Sequence, residues 1–416
     1  MKRLLKVTAL SGLLTLLKML MGFVIAKVIA IYTGPTGMAM LGQVQSIING
    51  FNGVVNAPAG NGVVRFTAEK HNNGFDNCSP WWRAALQCII VLCGILIPTG
   101  FLLSDALSQW LFESKEFKWV IQLTVILLPL SALGTLFNSV INGLQNYRRF
   151  VGLGVLSVLI SSTIMIIMII QGGIKGAFLA AILQSSLIGI VMLAANFRQP
   201  WFAIKYWWGA SDTKARKDII NYIVMAVTVA LMAPVSLIMV RNIIISEVGW
   251  NQAGQWQAVW KISEVYLSVI TIALSTYFLP SLSSLVGSSA IIKEINKTAI
   301  VIIPIVIGMA FAVYLSRDVI IYLLFTDEFS ESRDLFLIQL CGDVVKIASW
   351  LYAYPMLSRG AVKWFIPAEI FFSFSFVLLT YFLVPVFSTQ GANIAYLINY
   401  ICYLLFVSVN VKQFSK

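Results

Sequence analysis

The chain has 416 residues, 59% of them hydrophobic and only 11% charged, with 29 Lys and Arg against 17 Asp and Glu. A soluble domain carries about 25% charged residues, so with a mean hydropathy of +0.86 a water-soluble enzyme is excluded and a polytopic membrane protein expected. The single histidine, His71, and the scattered Cys78, Cys88, Cys93, Cys341 and Cys402 form no metal-ligand or disulfide spacing, so no metal or other cofactor is expected.

In chain order, Met1-Lys2-Arg3 and the apolar run behind them read as a retained first helix. The run is too long for a secretory signal and lacks a small-x-small cleavage site. Apolar stretches of about 20 residues, broken by polar, Gly/Pro or charged punctuation, are candidate spans. They predict an all-α integral membrane fold with twelve transmembrane helices: 8–32, 38–68, 81–103, 118–144, 152–170, 177–197, 219–245, 253–285, 298–316, 332–358, 364–385 and 391–410. Spans two and eight are rich in Gly, Asn, Gln and Ser, which predicts that they face something other than lipid.

With the N-terminus inside, eighteen Lys and Arg fall on the cytoplasmic side and five outside. The positive-inside rule then puts both termini in the cytoplasm. The basic excess is thereby mostly topological, and nucleic acid is not an expected partner. The longest hydrophilic connection, 197–218, reads as a cytoplasmic linker whose Trp, Tyr and Lys suit the inner interface. It divides the chain into an expected N-lobe, 1–205 with spans one to six, and C-lobe, 206–416 with spans seven to twelve. Six spans per half implies a parallel repeat about the membrane normal. Its trace is a late cation, Lys27 or Arg241, followed by Gly42-Gln43-Val44-Gln45 or Gly254-Gln255-Trp256-Gln257.

Six cations fall inside the spans: Lys18, Lys27, Arg65, Arg241, Lys261 and Lys346. Each is costly in lipid, so each is a candidate for binding substrate. Asp343 and Lys346 lie three apart, as do Lys261 and Glu264, which puts each pair in contact on a helix. Structural self-neutralisation and a polar cavity lining both fit these pairs. Arg65 is expected to pair with Glu69, while Arg241 has no acid within a turn and reads as an unpaired anion site. Lys18 and Lys27, nine apart, point to opposite faces, with Lys18 the better cavity charge. Glu369 lies close to the inner interface and carries little weight. The interior is net cationic, which suits an anionic headgroup such as a phosphate. No phosphate loop and no G-x-G-x-x-G occur, so ATP-driven transport by this chain is not expected.

The stretches LLKMLMGFVIAK…GPTG (16–37), WQAVWKISEVYLSVIT…YFLPSLS (256–283) and SRDLFLIQLCGDVVKIASWLYAY (332–354) resemble the lipid-linked oligosaccharide flippases of enterobacteria, of the O-antigen and enterobacterial common antigen types. The resemblance spans essentially the whole chain. It implies the MOP-superfamily architecture, two six-helix lobes around a central cavity that opens alternately to either side. It also implies a secondary transporter rather than an enzyme, in the bacterial inner membrane. The implied substrate is an undecaprenyl-pyrophosphate-linked oligosaccharide, an O-antigen or related surface glycan unit. Membrane lipids and other glycan-assembly membrane proteins are the further partners it suggests. Lys18, Lys27, Arg241, Asp343 and Lys346 fall on charged positions expected in such relatives. The acid at Glu264 is family-like, and the cation at Lys261 departs from the pattern, which points to sugar selection. Coupling to an H+ or Na+ gradient would use Asp343 or Glu264. A multidrug or organic-ion antiporter of the same superfamily is the alternative, although it predicts acids rather than cations in the cavity.

Overall fold

The computed structural model describes residues 2–285 and 287–414. Met1 and Lys416 lie outside them, as do the side chains of Lys2, Arg3 and Lys6 that entered the cytoplasmic count. The described chain is built from helices α1 (Lys2–Asn56), α2 (Asn61–Lys70), α3 (Ser79–Leu102), α4 (Ser104–Phe112), α5 (Lys118–Gly143), α6 (Tyr147–Asn196), α7 (Thr213–Ala273), α8 (Leu279–Ser284), α9 (Ser288–Leu315), α10 (Arg317–Leu324), α11 (Phe336–Ser358), α12 (Val362–Phe387) and α13 (Gln390–Phe414).

Nine helical stretches among the described residues are long and apolar enough to cross a membrane, and three of them run to 60, 50 and 48 residues. At ~1.5 Å per residue the longest would reach ~90 Å, far beyond a hydrocarbon core of ~30 Å. Each of the three contains one glycine at positive φ, Gly34 (φ 61°), Gly173 (φ 53°) or Gly249 (φ 89°), where the helix breaks. Positive φ is open to glycine without a Cβ penalty, so each break turns one long helix into a hairpin of two spans. Division at these glycines brings the number of spans to the expected twelve.

Two expected spans are not continuous α-helix. Span two stops at Asn56, passes through a 3-10 turn at Ala57–Ala59 and restarts at Asn61, where Pro58 and Gly60 interrupt the regular ladder. Span eight ends as α-helix at Ala273 and reaches α8 through a π turn at Leu274–Phe278, just before Pro280.

By internal packing the chain forms two compact units, one of 1–32 with 43–235 and one of 33–42 with 236–416. In the first, residues 197–218 are an ordered strap rather than a loose connection. Trp201, Tyr206 and Trp207 are buried against Trp82, whose ring stacks on Trp207 at a centroid distance of 5.2 Å. Ser79 donates to the Tyr206 carbonyl at 2.9 Å, and Gln87 to that of Gly209 at 3.1 Å. The α5–α6 contact is equally close: a Cβ on Gly189 would lie 2.0 Å from the Leu130 carbonyl oxygen. Small residues of this kind let membrane helices meet backbone to backbone, where van der Waals packing supplies much of the attraction.

Each unit also carries a short helix after its third span that the hydropathy did not indicate. In the first unit Asp105 of α4 pairs with Lys118, at the start of α5, at 3.3 Å. In the second, Asp318 of α10 pairs with Arg333, just before α11, at 2.6 Å. The same helix, acid and following cation recur in both halves. Gly42 opens one Gly-Gln-x-Gln stretch and packs on the other within the second unit: a Cβ on Gly42 would lie 2.8 Å from the Gln257 side chain.

Candidate functional site

In the second unit, α7, α11 and α13 converge on one buried acid. The Asp343 carboxylate is wholly buried in α11. Its Oδ2 accepts from the Ser263 hydroxyl at 2.6 Å and the Tyr266 hydroxyl at 2.8 Å, both on α7. Its Oδ1 accepts from the Tyr396 hydroxyl of α13 at 2.9 Å and from Gln339 Nε2, one turn earlier in α11, at 3.3 Å. A buried carboxylate is tolerable when its lone pairs are met in this way. Gly342 makes room for the cluster, since a Cβ there would fall 2.4 Å from the Tyr396 ring.

The three-residue spacing puts Asp343 and Lys346 in contact and leaves self-neutralisation and a polar cavity lining both open. The ion pair is not formed: among the described residues no Asp343–Lys346 salt bridge occurs, and Lys346 is in the wall of a cavity. The hydroxyls and amide occupy the carboxylate, and the ammonium turns instead toward aromatic rings. Lys346 Nζ lies 5.1 Å from the centroid of Trp350, 5.5 Å from Tyr400, and 5.6 Å from both Trp260 and Tyr396. Each such contact is worth about 0.5–2 kcal/mol, more as water is excluded. Electron-rich ring faces thus hold a cation without a counter-ion bonded to it.

Lys261 and Glu264 behave as expected, with Lys261 Nζ 3.1 Å from Glu264 Oε2. Glu264 Oε1 accepts from the Trp260 indole at 3.1 Å, which fixes that ring over the cluster. A cavity of about 290 Å³ opens beside these groups, and Lys346, Glu264, Trp260, Trp350 and Gln339 are in its wall. Among the described residues no cluster of His, Cys, Asp and Glu is placed to hold a metal ion.

The other candidates are elsewhere. Arg241 is not the open, unpaired site the sequence suggested: it is 1% exposed and donates from Nη1 to Gln257 Oε1 at 2.8 Å. One of its partners is an amide sixteen residues on, beyond any search for acids within a turn. Lys18, Lys27 and Arg65 belong to the first unit, and none lines this cavity. Lys18 is exposed rather than buried, and Lys27 is half-buried with partners of its own. Arg65 pairs with Glu69 at 2.8 Å on the exposed face of α2, as expected. Sequence reasoning missed Ser263, Gln339, Tyr396 and Tyr400. Only Gln339 had a local signal, lying one turn before Asp343 in α11.

The arrangement of the spans has known counterparts. A multidrug MATE-family transporter of the MOP superfamily, in its inward-facing conformation, superposes with a TM-score of 0.73 at 15% identity, over 94% of this chain and 94% of its own. The fold is that of the MOP superfamily. Within that superfamily, the lipid II flippase MurJ in an inward closed conformation gives a TM-score of 0.70 at 13% identity, over 98% of this chain and 87% of its own. In sequence, the MOP-fold chain is 28% identical to the lipid III flippases of Escherichia coli (strain K12) and Shigella flexneri. The alignment covers 396 residues, 94% of this chain and 93% of theirs. No family profile matches. The resemblance to lipid-linked oligosaccharide flippases therefore holds nearly end to end.

Proposed function

We propose that this chain is a flippase for undecaprenyl-pyrophosphate-linked oligosaccharide units, moving them from the cytoplasmic to the periplasmic leaflet of a bacterial inner membrane. The observation that carries the reading is the similarity to lipid III flippases over 94% of the chain. The headgroup crosses by alternating access of the two halves while the polyprenyl tail stays in lipid, so that no glycan meets hydrocarbon. Lys346, an ammonium in a cavity wall held by rings rather than by a carboxylate, supports binding of an anionic headgroup. Lys18, Lys27, Arg65, Arg241 and Lys261 are the further cations of the proposed path, and Asp343 and Glu264 the acids for coupling to H+ or Na+. The chain acts as a transporter rather than an enzyme, with both termini cytoplasmic. Its cargo is a unit of O-antigen or a related surface glycan.

The test is complementation of a strain lacking its own lipid-linked oligosaccharide flippase, with the chain expressed at normal level. Restored surface polysaccharide is the expected result. No restoration, together with gained resistance to cationic drugs, would replace the flippase reading with the multidrug antiporter that the MATE fold also accommodates.

A further inference from the structure

Apart from Lys346 and the Trp350 indole, the polar groups in the wall of the cavity in the second unit have their protons engaged or are acceptors only. The Ser263 and Tyr396 hydroxyl protons are given to Asp343 at 2.6 and 2.9 Å. That of Ser268 goes to the Val265 carbonyl at 2.6 Å, and that of Thr271 to the Leu267 carbonyl at 2.8 Å. The Trp260 indole proton goes to Glu264 at 3.1 Å. What the four hydroxyls still present is lone pairs, and Glu264 adds a carboxylate.

Gln339 makes the bias sharper. Its amide nitrogen donates to Asp343 at 3.3 Å, which fixes the orientation of the amide. The residue is part of the cavity wall, and its Oε1, itself buried, accepts no hydrogen bond. A buried acceptor without a donor is costly and calls for a partner. The pyrophosphate of a glycosylated lipid has no N–H or O–H to give at neutral pH, and in this wall it would meet mainly the Lys346 ammonium. A sugar ring offers several hydroxyl or amide protons. Its C–H faces also pack against aromatic rings, which Trp260 and Trp350 provide on the same wall.

We infer that this cavity is a sugar subsite. It takes a single ring of the glycan next to the pyrophosphate, with Gln339 Oε1 and the spent hydroxyls accepting from the sugar and Trp350 beneath it. Lys346, at the edge of the same wall, faces the adjoining phosphate. A volume of about 290 Å³ admits one such ring rather than a whole repeat unit. The inference rests on the flippase reading and divides its headgroup into two parts, recognised by different chemistry.

The experiment measures binding to purified full-length protein in nanodiscs. The probes are undecaprenyl pyrophosphate alone and the same lipid carrying one N-acetylhexosamine or one neutral hexose. Wild type is expected to bind a glycosylated lipid more tightly than the bare one. Gln339→Met should weaken glycosylated-lipid binding about tenfold or more, the effect of one lost buried partner, and leave the bare lipid unchanged, while Trp350→Leu, which also takes a ring from Lys346, should weaken the glycosylated lipid more than the bare one. Trp350→Phe, which keeps a ring, should retain most of the affinity and serves as the folding control. Equal losses for both lipids would make this a phosphate site and overturn the inference, as would equal binding of all three lipids by wild type. Failure of wild type to bind any of them would instead remove the flippase reading, and the subsite with it.

Discussion

The Lys346 ammonium lies 5.1 Å from the ring centre of Trp350, one turn ahead in α11, while Asp343, one turn behind, gives its carboxylate to three hydroxyls and an amide. Acid and base are neighbours on one helix, yet each is satisfied by a different class of partner. A lysine held by rings has no carboxylate bonded to its ammonium among the described residues. An arriving anion can therefore engage it without first breaking an ion pair, whose separation would leave a charge exposed in a low-dielectric wall.

Lys346→Met should lower the rate of lipid-linked oligosaccharide flipping in proteoliposomes by roughly tenfold or more, the worth of one charge-assisted contact. Lys346→Arg keeps the charge and the affinity for aromatic faces, so it should retain a larger share of activity. Wild-type rates from Lys346→Met at equal reconstitution would remove this residue from the path.

Asp343→Ala would strand the Ser263, Tyr266 and Tyr396 hydroxyls and the Gln339 amide in a buried site. The expected destabilisation is on the order of 3 kcal/mol, because unsatisfied buried donors cost about 1–3 kcal/mol each and partial relaxation offsets some of the sum. Tyr396→Phe removes one donor and should cost only about 1 kcal/mol. Thermal unfolding in detergent reads both changes, and an Asp343→Ala protein as stable as wild type would show that the cluster does not hold α7, α11 and α13 together.

Gly189→Ala puts a methyl 2.0 Å from the Leu130 carbonyl, whereas a methyl on Gly94 meets nothing within 4 Å. Overpacking of a tight contact costs about 1–3 kcal/mol. The yield of monodisperse Gly189→Ala protein should therefore fall well below that of Gly94→Ala, as measured by fluorescence-detected size exclusion. Equal yields would mean that α5 and α6 can part at no cost.

Cys78 sits just before α3, fully buried, and burial pushes its thiol up to about 11 against the opposing charge of Lys70. Only about one thiol in a thousand is then ionised at pH 8. In a variant retaining Cys78 alone, maleimide labelling should be slow at pH 8 and quicken as pH rises toward 11. The unfolded chain releases this proton first, so the thiol's contribution to stability falls between its ordinary range near 9 and about 11. Rapid labelling at neutral pH would show that the site is open.

The repeat illustrates the reach of sequence reasoning. Lys27 and Arg241 with their Gly-Gln-x-Gln stretches were a faint trace of it. The stronger sign lay in two short helices that hydropathy passed over, each with an acid paired to the cation before the next span: Asp105 with Lys118, and Asp318 with Arg333. Nine and eight residues are too few to register in a span-length window. The loop lengths between acid and cation also differ, so no fixed spacing exposes the match.

The sequence by itself determined that the chain is a multi-pass membrane protein, roughly where its spans lie, and two of the pairs along one helix. Arg65 with Glu69 and Lys261 with Glu264 were legible because helical geometry brings residues three or four apart together whatever else the chain does. Only the tertiary structure decided what Asp343, Lys346 and Arg241 touch. The hydroxyl partners of Asp343 stand 80, 77 and 53 residues away, on helices whose rotation is set by how the whole unit packs. A buried charge takes the partners that packing brings to it, and a nearer residue in sequence loses to several better placed in space.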